Sequence, residues 1–170
     1  MQKLSKFDII WAPWRKKYVI TTKSKKCFIC ACKKISKNNL LIYNSPTIKV
    51  LANAFPYNNG HLLVAPVRHV GNLSKLTPQE RKDLMDMIIV SQEILQQILN
   101  PQGFNIGLNL GKVAGAGLVS HLHFHIVPRW QGDTNFVPIL SSTKIIPDSL
   151  RSLVSVLRDV FAKRFREAGR

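Results

Sequence analysis

In the last third of the chain the six residues His121-Leu122-His123-Phe124-His125-Ile126 alternate polar and apolar without a break, and Val127 follows. Strict alternation is the pattern of a half-buried strand. The stretch therefore predicts a strand with one face against a core. Residues two apart on a strand share a face, roughly 6.5–7 Å from one another. His121, His123 and His125 then form an imidazole row, with Leu122, Phe124 and Ile126 turned to the core. The chain has 5 histidines in its 170 residues, so three in one row mark a place for chemistry. Imidazole serves near neutral pH as acid, base, nucleophile or metal ligand.

The flanks strengthen that reading over a sheet face that merely uses histidine. Upstream lies Gly111-Lys-Val-Ala-Gly-Ala-Gly117, a small-residue loop of the kind that lets backbone amides approach an anion. Downstream, Pro128-Arg129-Trp130 supplies a rigid stop, a cation and a large aromatic. A glycine-rich loop alone is more often a turn. Beside three aligned imidazoles it points to a site that handles phosphate.

The pattern His-φ-His-φ-His-φ-φ, with φ apolar, resembles the signature of the histidine triad superfamily of nucleotide hydrolases and transferases. The segment Asn53-Ala-Phe-Pro-Tyr-Asn-Asn-Gly-His-Leu-Leu-Val-Ala-Pro-Val-Arg-His69 is similar to that family's first strand-loop-strand. Gly107–Gly111 and Pro128-Arg-Trp-Gln-Gly-Asp-Thr-Asn-Phe136 resemble the branch that includes bacterial diadenosine tetraphosphate phosphorylases. The likeness runs over about residues 10–150. It implies an α+β fold with a mainly antiparallel sheet of about five strands, one long crossover helix and a C-terminal helix. It also implies a homodimer, a substrate among adenine nucleotides or dinucleoside polyphosphates, and no organic cofactor.

Within that resemblance His123, central in the row, is the expected nucleophile. It would attack the α-phosphorus and form a nucleotidyl-histidine. His121 and His125 flank it, and His125 is a donor to the developing charge. Further donors are the side chain of Asn109 and backbone amides near Ala116, Gly117 and Ser120. The resemblance maps Asn53 to the ribose hydroxyls. Asn53 and Asn109 read equally as turn residues, the commoner use of asparagine. Trp130 could stack on a base, cover the site or be a buried structural tryptophan. Water as acceptor makes a hydrolase and inorganic phosphate a phosphorylase. The hydrolase branch commonly carries glutamine where this chain has Gly117, which favours phosphate. The alternatives are a hydrolase of nucleoside phosphoramidates or adenylated ends, and a basic nucleic-acid-binding member.

Three cysteines stand close together at Cys27, Cys30 and Cys32. An odd number argues against a disulfide scaffold. The Cys27-Phe-Ile-Cys30 spacing suits a metal site, since one turn lets both thiolates face one ion. Structural zinc wants four ligands, and His69 and His121 are the natural candidates for the other two. The resemblance supports this set, because a C-x-x-C, a histidine after the second long strand and the first triad histidine hold zinc in several relatives. Redox-active or merely buried cysteines remain the other uses, and Cys32 needs no role.

The charge is unusual: 25 Lys and Arg against 9 Asp and Glu, a formal +16. Such an excess attracts polyanions. Lys16, Lys17, Lys23, Lys25, Lys26, Lys33, Lys34 and Lys37 crowd the first forty residues, and Lys163, Arg164, Arg166 and Arg170 the last ten. Both groups lie outside the segments that carry the chemistry, so nucleic acid is not the favoured partner, and a solvated basic surface accounts for them as well. No run of about 18 apolar residues is present. Trp11, Pro13 and Trp14 interrupt any signal-like stretch. The expectation is a cytoplasmic protein that does not enter the membrane.

Local patterns complete the prediction of one domain over residues 1–170, with a core at about 25–140, a basic segment at 1–26, and a C-terminal helix at about 148–166 ending in a basic tail. Leu40–Tyr43 and Thr47–Leu51 read as a hairpin about Asn44-Ser45-Pro46. His61–Ala65 is a short apolar strand. Thr77-Pro-Gln-Glu80 is a capping box with proline at the first helical position. The helix it opens carries Leu84, Met87, Ile88, Ile94, Leu95 and Ile98 in a stripe and stops at Asn100-Pro101. Phe104–Leu110 precedes the histidine strand. The last helix, starting near Pro147, presents Leu150, Leu153, Val154, Leu157, Val160 and Phe161.

Overall fold

A computed structural model describes residues 27–133 and 149–167. The elements run in the order α1 (Phe28–Ala31), β1 (Leu41–Asn44), β2 (Ile48–Ala52), β3 (Leu62–Pro66), a 3-10 turn (Leu73–Lys75), α2 (Pro78–Leu99), β4 (Gly103–Leu108), β5 (Phe124–Arg129) and α3 (Leu150–Glu167). The five strands form one sheet in the order β1-β2-β3-β5-β4, every pair antiparallel. The expected α+β architecture is observed.

Alternation along β2 and β3 divides the core into two unequal parts. Ile48, Val50, Ala52, Leu62 and Val64 face α2 and α3, in one cluster with Leu84, Met87, Leu95, Leu157 and Phe161. Leu51, Leu63 and Ala65 face the other way and meet Ile29 of α1 and Leu41. Both strands are therefore buried on both faces.

The helix ends follow the sequence signals. Thr77 Oγ1 accepts from Glu80 N and the Glu80 carboxylate accepts from Thr77 N, which makes a complete capping box with Pro78 behind it. Asn100 ends α2 in the left-handed region at φ 44°. Arg68 donates two hydrogen bonds to the Glu80 carboxylate, at 2.9 and 2.7 Å, and so ties the loop after β3 to this cap.

The histidine segment departs from the expected single strand. Only His125 lies within β5; His121 and His123 precede it. β3 pairs with β5 over Leu62↔Ile126, Leu63↔His125 and Val64↔Phe124. Extending that register would bring Leu122 opposite Pro66, which has no N–H to give. The Leu122 N–H instead bonds to Val70 O at 2.7 Å, in the loop beyond β3. Leu122, Phe124 and Ile126 still turn to the helix-covered core, so the alternation survives the end of the ladder. The expected start of the last helix near Pro147 falls outside the described residues; its apolar stripe does not, and Leu153, Val154, Leu157 and Phe161 are buried.

Candidate active site and metal centre

All five histidines of the chain meet on the sheet face away from α2 and α3. His123 and His125 have ring centroids 5.1 Å apart, His61 and His125 also 5.1 Å, and His69 and His121 4.9 Å. The segment 109–120 arrives from the end of β4. His69 comes on the loop after β3, where Gly71 packs so closely on Val119 and Ser120 that a Cβ would lie 2.7 Å from Val119 O.

Hydrogen bonds to groups that can only accept, or only donate, fix which nitrogen carries each proton. His123 Nδ1 lies 2.9 Å from His121 O. A carbonyl only accepts, so Nδ1 holds the proton and Nε2 keeps a free lone pair. His61 Nδ1 accepts from Tyr57 N at 3.0 Å, which leaves its proton on Nε2. That Nε2–H donates to His125 Nδ1 at 2.9 Å. His125 therefore carries its own proton on Nε2. A bare nitrogen on His123 stands next to an N–H on His125. Such a pair can attack an electrophile such as phosphorus while donating to the negative charge that develops.

Burial favours the neutral form of the His123 ring. His123 is 6% exposed, and desolvation lowers its pKa from the ordinary value, against the raising effect of the bond to His121 O. His121 is shifted the same way, by burial first. Aromatic rings line the row: Phe28 meets His123 edge-on at 6.2 Å, and Tyr57 lies nearly parallel to His125 at 5.9 Å and 18°.

Cys27, Cys30, His69 and His121 converge as a second group, with their four ligand atoms within 4.8 Å of one another. His121 Nε2 donates to Pro66 O at 2.8 Å, so its Nδ1 lone pair faces Cys27 Sγ at 3.2 Å and Cys30 Sγ at 3.4 Å. His69 Nδ1 lies 3.2 Å from Cys30 Sγ. A tetrahedral zinc with ordinary bond lengths sets its ligand atoms about 3.3–3.8 Å apart. The donor set, the spacing and the proton position on His121 all fit one cation. Cys27 Sγ also accepts from Cys30 N at 3.4 Å as the cap of α1. Burial raises the Cys30 thiol pKa, Cys27 adds to the rise, and Lys49 opposes it. Buried Lys49 donates to Ile29 O at 3.0 Å and anchors the turn between the two cysteines.

The other expected residues have local partners of their own. Asn53 Oδ1 accepts from Phe55 N at 3.0 Å, an Asx turn, while its Nδ2 lies 3.3 Å from His61 Nδ1. Asn109 is half-buried beside Gly115. Ala116 is buried, whereas Gly117 and Ser120 are exposed. Trp130 is half-buried, its N–H donated to Asp133 at 3.2 Å. His61, Tyr57 and Phe28 had no role assigned from the sequence. The one signal for His61 was that every other histidine had been placed.

The chain matches the HIT domain over residues 34–132. It belongs to the HIT family. Among its relatives, the protein named AP-4-A phosphorylase from Mycobacterium tuberculosis H37Rv is 34% identical over 165 residues, covering 91% of this chain and 85% of its own. The bis(5'-nucleosyl)-tetraphosphatase (asymmetrical) of Schizosaccharomyces pombe is 34% identical over 93 residues, 55% of this chain and 50% of that one. A zinc-bound histidine triad protein from Mycobacterium smegmatis superposes with a TM-score of 0.65 at 23% identity, over 84% of this chain and 97% of that one. The last likeness establishes the HIT fold.

Proposed function

We propose that this HIT protein processes diadenosine polyphosphates by nucleotidyl transfer through His123, with inorganic phosphate as the favoured acceptor. The observation that carries the reading is the free Nε2 lone pair of buried His123 beside the N–H of His125. The two relatives named for dinucleoside tetraphosphate chemistry support the substrate class. Gly117, small and exposed, leaves room for a phosphate acceptor.

In the first step His123 Nε2 forms a bond to the α-phosphorus and the bond to the bridging oxygen breaks. From diadenosine tetraphosphate this releases ATP and leaves adenylyl-His123. In the second step a phosphate oxygen attacks the same phosphorus, the P–N bond breaks, and ADP departs with His123 neutral again. His125 donates to the phosphoryl oxygens in both steps, joined by Asn109 and the amides of Ala116, Gly117 and Ser120. Such donors matter because the transition state spreads charge over those oxygens. Asn53 takes the ribose and Trp130 borders the site.

Cys27, Cys30, His69 and His121 would hold zinc as a closed structural site, with no open position to activate water. When bound, the ion fixes the orientation of His121, whose carbonyl in turn fixes the His123 proton. Cys27→Ser is expected to lower both the zinc content and the melting temperature of the purified protein.

One domain carries both centres, and β4 is one of the two outer strands of its sheet, with β1 at the other edge. Exposed Ile106 on that edge and Met85 and Ile89 on α2 border an apolar groove of about 280 Å³ floored by Ile88 and Phe124. That face suits a second copy of the chain, a homodimer. Among the described residues no helix is long and apolar enough to cross a membrane. Cysteines outside disulfides, two of them proposed as zinc ligands, suit a reducing cytoplasm.

The test is incubation with diadenosine tetraphosphate with and without phosphate. ADP with ATP, only when phosphate is present, is the expected result. AMP with ATP in the presence of phosphate would make the enzyme a hydrolase. No product would overturn the dinucleoside reading.

A further inference from the structure

Asn58 is 8% exposed, although Tyr57 before it is exposed and Asn59 after it half-buried. Its side-chain amide donates to Pro128 O at 3.0 Å and to Asp133 Oδ2 at 2.6 Å. Asp133 is held from the other side by Arg129 Nε at 2.5 Å and Nη2 at 2.8 Å, and by Trp130 N. Arg129 Nη1 reaches Asn105 on β4 at 2.6 Å. These charge-assisted bonds are the strong kind, and they join the turn after β5 to the loop between β2 and β3. The same loop is pinned at Gly60, whose φ of +76° and contacts with Leu99, Leu95 and Pro128 leave no space for a Cβ.

Immediately before those pins lies Tyr57. Its amide is the donor to His61 Nδ1, and its ring packs on both His61 and His125, at centroid distances of 4.7 and 5.9 Å. The Tyr57 amide, the nearer of two donors at His61 Nδ1 with Asn53 Nδ2 at 3.3 Å, favours the His61 proton on Nε2, and hence an N–H on His125. We infer that the Asp133–Asn58 pair is a positioning device, which holds the Tyr57 amide on His61 and so sets the proton arrangement of His125. This rests on the proposed role of His125 as a donor to the transferred phosphoryl group. Asp133 and Asn58 do not touch the reacting atoms; they act through Tyr57 and His61.

A structural fastening alone would change stability and leave the rings as they are. The two readings separate in Asn58→Ala, Asp133→Ala and Asp133→Asn, each first shown folded by its circular dichroism and melting curve. Side-chain 15N–1H spectra of the histidines in the wild-type protein should show His61 as a single Nε2–H tautomer. In Asn58→Ala and Asp133→Ala that signal should become a mixture of tautomers. With diadenosine tetraphosphate and phosphate, kcat should fall about ten- to a hundredfold, the scale of a small misplacement, with KM changed less than about threefold. Asp133→Asn, which keeps an acceptor for Asn58, should lie between wild type and Asp133→Ala. The double alanine variant should be no worse than either single one, because both break one link. An unchanged His61 tautomer in a folded Asn58→Ala protein would overturn the inference, and so would a mixed tautomer with undiminished kcat. If the wild-type protein turns over no dinucleotide, the functional reading fails, and the tautomer spectra alone decide the positioning role.

Discussion

The face of the sheet under α2 and α3 and the face under α1 use the same strands for different ends. Under the helices lies one large apolar cluster drawn from four strands and both long helices, from Ile42 and Val64 to Leu157 and Phe161. On the other face five buried apolar residues, Ile29, Leu41, Leu51, Leu63 and Ala65, share the space with buried Lys49, His121 and His123. Burying polar groups is costly unless each finds a partner. Here the partners are specific: Ile29 O for Lys49, Pro66 O for His121 and His121 O for His123. One face supplies stability through area, and the other holds imidazoles in defined proton states at the expense of area.

Substitutions on each face should therefore fail in different ways. His123→Ala is expected to remove turnover of diadenosine tetraphosphate by more than about a thousandfold, the loss of a covalent nucleophile. Its melting temperature and nucleotide binding should change little. Equilibrium binding set beside single-turnover rates checks this, and activity within tenfold of wild type would break the contrast. Phe161→Ala, on the helix side, should do the reverse. It is expected to cost about 3–5 kcal/mol of stability, read by denaturant unfolding, with kcat of the folded protein retained.

His125→Ala should sit below both, with kcat lower by about a hundred- to a thousandfold for one lost donor and stability nearly unchanged. The smallest effect belongs to the α2 cap. Glu80 is held down from its ordinary 4.5 to about 2, first by the Arg68 hydrogen bond and further by the Thr77 N–H, with burial opposing. Folded protein thus binds fewer protons at Glu80 than unfolded protein between those values. The stabilisation is full above pH 4.5 and is lost as the pH falls through about 2. Glu80→Gln should cost about 1–2 kcal/mol near pH 7, and the gap to wild type should narrow steadily below pH 4.5. Parallel melting curves across that range test the sign.

The helix face was legible in the sequence because it is periodic. Leu84, Met87, Ile88 and Leu95, the capping box and the stop at Asn100 all follow from spacing and local chemistry, and all are observed. The other face was legible only where its residues are neighbours in the chain. His121, His123 and His125 stood out together, as did Cys27 and Cys30. His69 was added as a ligand candidate with support from the family resemblance. His61 escaped because its meaning lies in a pairing across the sheet. Only the register Leu63↔His125 brings it to a ring 64 positions away. The single-strand expectation for the histidine row failed at Pro66, whose missing N–H ends the β3–β5 ladder before Leu122 is reached. Alternation reports which way side chains point, and it does not report whether a partner strand can bond there.

The central claim is that the lone pair of His123 attacks phosphorus, and the covalent intermediate tests it most directly. Protein mixed with diadenosine tetraphosphate without phosphate, quenched in denaturant and analysed by intact mass and peptide mapping, should carry one adenylyl group on His123. Phosphate added before the quench should discharge that adduct as ADP. An enzyme that turns over the substrate yet carries no adduct, or carries it on another residue, would contradict the account.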